Sequence, residues 1–188
     1  MINMIINFDR KLLMWFYSMG QNLPSFILKL SAEYLVYLLP ITLLVLWFWQ
    51  KTHKKVLRAF LAVMLSWPVI ATIIGKVVNR PRPFESGGVQ ELLFHRPTYS
   101  FPSDHAAAFF ALAFSLLFSG DKKLCMIFLV LSLINSLARI ASGIHWPLDI
   151  LGGMVVGFAG ALIVKLLDKY LDKIYKFIIS LAQKMRLA

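Results

Sequence analysis

Long apolar runs separated by short polar segments set the plan of this chain. Five runs, at about 26–49, 55–78, 103–119, 123–143 and 147–167, are near the ~20 residues a helix needs to cross ~30 Å of hydrocarbon. The third is the shortest. Ahead of them, residues 1–20 mix Trp15, Phe16 and Tyr17 with Asp9, Arg10 and Lys11, which suits a helix lying in the headgroup region better than one that spans. That stretch lacks the positive start, compact apolar segment and small-residue cleavage site of a signal peptide. After the fifth run, Lys165, Lys169 and Lys173 recur at i, i+4 beside Asp168 and Asp172, while Leu167, Leu171, Ile174 and Ile178 take the opposite face. This is an amphipathic tail that partly continues the fifth helix. The pattern predicts an all-α polytopic membrane bundle: five transmembrane helices, an N-terminal interfacial helix and an amphipathic C-terminal tail, in one domain over residues 1–188. Pro40 and Pro68 predict kinks inside spans. Gly153 and Gly157, with Gly160 close by, predict a tight helix contact.

Composition agrees. A hydrophobic content of 59% and a mean hydropathy of +0.72 exclude an ordinary soluble domain, where apolar residues make up roughly half. The net charge of +11 raises nucleic acid as a partner, but the basic residues form short clusters between apolar runs and no interleaved basic-aromatic surface. An anionic membrane face or anionic substrate accounts for them. Lys51, Lys54, Lys55 and Arg58 follow the first span, Lys122 and Lys123 follow the third, and six more basic residues run from Lys165 onward. The positive-inside rule puts that side in the cytoplasm. The N-terminus, residues 79–102 and the turn at 143–146 then lie outside. Cys125 is the single cysteine, so no internal disulfide forms.

Ionisable residues at membrane depth are costly, and here they gather in three segments on the predicted outer face. The first runs from Lys76 through Arg80 and Pro81 to Arg82 and Pro83; the second is Phe101-Pro102-Ser103-Asp104-His105; the third is Arg139, His145 and Asp149. Transfer of a phosphoryl group requires several fixed cationic donors around its oxygens. Lys76, Arg82 and Arg139 supply such donors, with the Ser103 hydroxyl and the first N–H groups of the third span completing the cradle. His145 has Asp149 four residues on; a carboxylate there accepts from one ring nitrogen and leaves the other free to attack phosphorus. His105, at another helix start, is the candidate acid for the leaving oxygen. Pro147 fits the first helical position and would put Asp149 in the first turn. A non-catalytic anion-conducting bundle is the competing class, but a channel has no use for a histidine with aspartate at i+4.

These three segments resemble the signature of the type 2 phosphatidic acid phosphatase superfamily: Lys, six residues, Arg-Pro; then Pro-Ser-Gly-His; then Ser-Arg, five residues, His, three residues, Asp. The third motif matches at Arg139, His145 and Asp149, with Ala138 in place of Ser. The second matches at Pro102, Ser103 and His105, with Asp104 in place of Gly. In the first, five residues separate Lys76 from Arg82. The resemblance implies His145 as nucleophile, Asp149 as its orienting partner and His105 as general acid. It implies Lys76, Arg82, Ser103 and Arg139 as phosphate ligands, with no metal or other cofactor. The residues around Pro81 to Phe84 and Ser100 to Ala106 resemble the small bacterial undecaprenyl-diphosphate phosphatases, which implies hydrolysis of that lipid at the outer face of a bacterial inner membrane. Phosphatidic acid, phosphatidylglycerol phosphate and lipid A phosphate are the alternatives. Arg80, His95 and Arg96 are read as loop charges in solvent, and Asn135 and Ser136 as hydrogen bonds between helices.

Overall fold

In a computed structural model of the chain, residues 2–49, 53–86 and 88–186 are described; Lys51 lies outside them. Helix α1 spans Ile2–Gln21. The first apolar run is split into α2 (Ser25–Ala32), a 3₁₀ turn (Tyr34–Tyr37) and α3 (Leu38–Trp49). Pro40 falls at the start of α3, where its missing N–H costs little. The second run is α4 (His53–Met64), a π-helical segment (Leu65–Ala71) and α5 (Thr72–Val78). Pro68 lies inside the π segment, so the predicted kink takes the form of a locally widened helix.

Three helices form the heart of the bundle: α6 (Asp104–Phe118), α7 (Lys122–Ala141) and α8 (Pro147–Leu166). α6 has 15 residues, roughly 22 Å at 1.5 Å per residue. It is short because it is central: every residue from Ala106 to Ala113 is buried. α8 lies directly on it. A Cβ on Gly153 would stand 2.6 Å from the Ser103 carbonyl oxygen, and one on Gly157 would stand 2.7 Å from the Ala107 oxygen and the Ala111 nitrogen. The small-residue stripe is therefore a backbone-to-backbone seam. Around this core, Ile41, Leu44 and Phe48 on α3 and Val155 on α8 are exposed, the apolar outer surface expected against lipid.

α9 (Asp168–Lys184) folds beside α4. Lys54 pairs with Asp172 at 2.7 Å and Asp168 at 3.3 Å, and Arg58 pairs with Asp168 at 2.7 Å. This clasp lies at the pole of the bundle opposite the starts of α6 and α8. α1 is amphipathic: Met4, Ile5 and Phe8 are exposed, whereas Asp9, Leu13 and Tyr17 are buried. The buried face packs on α7 and α8.

Candidate active site

The loop from 79 to 103 and the turn between α7 and α8 bring the three segments together. Asn79 ends α5 in the left-handed conformation (φ 46°), which asparagine tolerates better than most side chains, and the chain then turns back towards α8. Ser100 staples the loop: its N–H donates to the Arg80 carbonyl at 2.8 Å and its hydroxyl to the Pro81 carbonyl at 3.1 Å. The second turn depends on Gly143 (φ 74°), after which the Ile144 and His145 N–H groups both reach back to the Arg139 carbonyl. A Cβ at Gly143 would also lie 3.1 Å from the Gln90 carbonyl oxygen.

His145 is the centre, buried with 2% exposure. Its Nδ1 lies 3.4 Å from Asp149 Oδ2. Its Nε2 faces Arg139 Nη2 at 3.2 Å and Arg82 Nη1 at 3.4 Å. Guanidinium groups only donate, so Nε2 must present its lone pair and the proton must sit on Nδ1, where Asp149 accepts it. The tautomer is thereby fixed with Nε2 turned into the cationic side of the site. Burial, then the charges of Arg139 and Arg82, hold the imidazole well below the ordinary histidine range.

The two arginines are fixed by backbone carbonyls. Arg139 Nη1 donates to the Ala32 carbonyl at 3.1 Å. Arg82 donates to the Ile144 and Tyr99 carbonyls at 3.1 Å each, and to the Thr98 hydroxyl at 3.0 Å. The Nε of each is buried and, among the described residues, has no partner; such buried donors are costly unless an anion takes them. Ser103 caps α6: its hydroxyl accepts from the Ala106 N–H, and its own N–H donates to the Asp149 carbonyl at 2.9 Å. His105 opens α6, its ring 6.5 Å from that of Trp67, within the field of Arg139, His95 and Arg82.

Lys76 is not drawn into this group. It is exposed on α5 and, among the described residues, makes no hydrogen bond or ion pair. The residue separated from Arg82-Pro83 by six others is Gly75, whose Cβ would collide with the Tyr99 ring at 2.3 Å. The shortened spacer thus turns Lys76 by about 100° around the helix, and Tyr99 fills the place. Ser136, expected to bond across helices, has a buried hydroxyl without a partner among the described residues. Asn135 does cross, donating to the Ser31 carbonyl at 2.7 Å.

Three groups read as loop or headgroup polarity belong here as well. His95 packs with its ring 6.5 Å from that of His145. Arg80 donates to Asp149 Oδ1 at 2.9 Å and to Asp9 Oδ2 at 2.5 Å. Asp9, 1% exposed, also accepts the Leu148 N–H at 2.9 Å. One signal for Asp9 was present in the sequence: it is in helical register with Leu13 and Tyr17, the stripe that α1 buries. Beside the site, an apolar cavity of about 320 Å³ lies between α1, α2 and α7, bounded by Phe16, Leu28, Ile134 and Ala138.

A cation-lined pocket around a carboxylate-backed histidine, set in a bundle of apolar helices, is the site of a membrane phosphatase acting on lipid phosphates. The PAP2 superfamily pattern matches residues 56–173, and the chain belongs to that superfamily. It is 35% identical over 138 residues to the bacitracin transport permease protein BcrC of Bacillus licheniformis, covering 71% of this chain and 66% of that protein. It is 32% identical over 163 residues to the undecaprenyl-diphosphatase BcrC of Bacillus subtilis, covering 82% and 83%. Among solved structures, that of Aquifex aeolicus LpxE aligns with a TM-score of 0.61 at 27% identity, over 81% of this chain and 84% of that one.

Proposed function

We propose that this lipid phosphatase converts undecaprenyl diphosphate to undecaprenyl phosphate at the outer face of a bacterial cytoplasmic membrane, through a phosphohistidine at His145. The observation that carries the reading is the placement of His145 Nε2 against two arginines while Nδ1 meets Asp149. The terminal phosphate displaces the imidazole from the arginines and takes their donors. The Nε2 lone pair then attacks the terminal phosphorus, the bond to the bridging oxygen breaks, and protonated His105 gives that oxygen its proton. The product imidazole carries a positive charge, which Asp149 offsets. In the second half, neutral His105 takes a proton from water as the water oxygen bonds to phosphorus. The P–N bond breaks, its electron pair returns to Nε2, and inorganic phosphate leaves. Arg82 and Arg139 face the charge that builds on the equatorial oxygens throughout.

The lipid is argued from the motif segments and from similarity to the undecaprenyl-diphosphatase of B. subtilis over most of both chains. A 40% match over 63 residues to a lipid A 4'-phosphatase of Bacteroides thetaiotaomicron favours lipid A phosphate as the second reading. Phosphate release by the purified protein would be measured on undecaprenyl diphosphate, phosphatidic acid, phosphatidylglycerol phosphate and lipid A. The proposal expects the highest kcat/KM on the diphosphate; a preference of about tenfold or more for any monoester overturns it.

A further inference from the structure

We propose that Asp9 of α1 and Arg80 of the outer loop are positioning residues that hold Asp149, and through it His145, in the attacking geometry. The inference rests on the phosphatase reading above. Asp149 is fully buried, and its two oxygens have separate holders. Oδ2 accepts the Trp146 N–H at 2.8 Å and faces His145 Nδ1, while Oδ1 is held by Arg80 Nη1. Without Arg80, Oδ1 would lose its charge-assisted partner, and the carboxylate, left with the Ser100 hydroxyl and the Trp146 N–H, would be held less firmly against the imidazole.

Arg80 is itself fixed from three sides. Asp9 takes its second nitrogen, the Trp146 ring lies 4.9 Å from its guanidinium carbon, and the Trp146 indole donates to the Pro81 carbonyl at 3.0 Å. Asp9 does a second task, for its other oxygen receives the Leu148 N–H. Pro147 brings no N–H to the first turn of α8 and the Asp149 N–H bonds to the Trp146 carbonyl, so Asp9 satisfies the remaining orphan donor beside the catalytic carboxylate. Charge favours the same assignment. Asp9, Arg80 and Asp149 together carry one net negative charge, which matches the single positive charge that His145 acquires when phosphorylated. α1 therefore closes a chain of four groups ending at the nucleophile.

A double-mutant cycle separates positioning from bulk packing. Asp9→Asn, Arg80→Gln, Asp149→Asn and the pairs of each with Asp149→Asn would be assayed on undecaprenyl diphosphate, per unit of protein folded by thermal melting in detergent. Asp9→Asn is expected to lower kcat about 10-fold and Arg80→Gln about 50-fold, each with KM within about twofold, because the phosphate donors are untouched. The pairs are expected to fall no lower than Asp149→Asn alone, since the upstream residues act only through that carboxylate. Arg80→Lys is expected to stay low, a single ammonium being unable to bridge two carboxylates. If one variant fails to fold, the other completes the cycle. Losses that multiply in the pairs, or a KM raised with kcat unchanged, overturn the proposal. Absence of turnover by the wild-type protein on every lipid phosphate would instead sink the phosphatase reading itself.

Discussion

Exchanging Arg139 for lysine keeps the charge of the site and removes its geometry. Arg139 commits Nη1 to the Ala32 carbonyl, which leaves Nη2 and the unpartnered Nε for the substrate. These two share the planar edge that suits a phosphoryl group bidentately. A lysine at this position has one ammonium to divide between the Ala32 carbonyl and the phosphate, so at least one charge-assisted hydrogen bond to the transition state is lost. Such a bond contributes about 1.5–3 kcal/mol, and removal of one preorganised donor from a comparable oxyanion site costs about 10²–10³ in kcat. Arg139→Lys is therefore expected to lower kcat by about 10²-fold or more while KM for the lipid changes by less than about threefold, because the Arg82 donors remain. Arg139→Ala should add a stability loss of about 0.5–1.5 kcal/mol, as the Ala32 carbonyl loses one of its two donors and keeps Asn135. Steady-state kinetics in detergent, paired with melting curves, would test both. Lysine within about fivefold of wild type in kcat would refute the claim that the planar edge carries the stabilisation.

Separate steps for the two histidines predict that His145→Ala abolishes turnover on lipid and aryl phosphates alike, whereas His105→Ala keeps more activity on an aryl phosphate, whose leaving group needs little protonation; a trapped phosphate mapping to His105 would reverse the roles. His95 is held down to about 3, first by burial and then by Arg139 and Arg82, below the ~6.5 of an unfolded histidine. The folded chain thus binds fewer protons, and this share of stability is complete above about pH 6.5 and lost as pH falls towards 3. The melting point of wild type should consequently drop more steeply than that of His95→Gln between pH 7.5 and 4.5; parallel curves would count against it. Gly157→Leu should destabilise by about 1–3 kcal/mol or prevent folding, since the new side chain meets the Ala107 and Ala111 backbone; an unchanged melting point would mean the seam yields. With Cys125 replaced by serine, a cysteine at Arg96 should react with an impermeant maleimide in intact cells and one at Lys122 should not; the opposite labelling would move the site to the cytoplasm.

The helices and the third motif were legible because both are local: apolar runs of spanning length, and a histidine four residues before an aspartate on one helix start. His145, Asp149, Arg139 and Arg82 meet in space as their spacing suggested. What escaped is long-range or depends on packing. Asp9 and Arg80 are 71 positions apart, and the register of Asp9 with Leu13 and Tyr17 points to the buried face of α1 without naming its partner. Lys76 was matched by residue type, although the missing spacer residue turns it away and puts Gly75 under Tyr99. The breaks in the first two spans, a 3₁₀ turn and a π segment, lie within runs whose hydropathy is continuous.

The α6–α8 seam has a consequence for how such an enzyme changes its diet. With no room for one added carbon at Gly153 or Gly157, α6, with His105 in its first turn, and α8, with Asp149 in its first turn, behave as a single casting that leaves no freedom for repacking. The side where Phe16, Leu28 and Ile134 border an open apolar space has the room for exchange that the seam lacks, and we expect changes in tail preference to fall there. Directed evolution of tail preference should therefore sample α1, α2 and the outer face of α7, leaving the glycine stripe untouched.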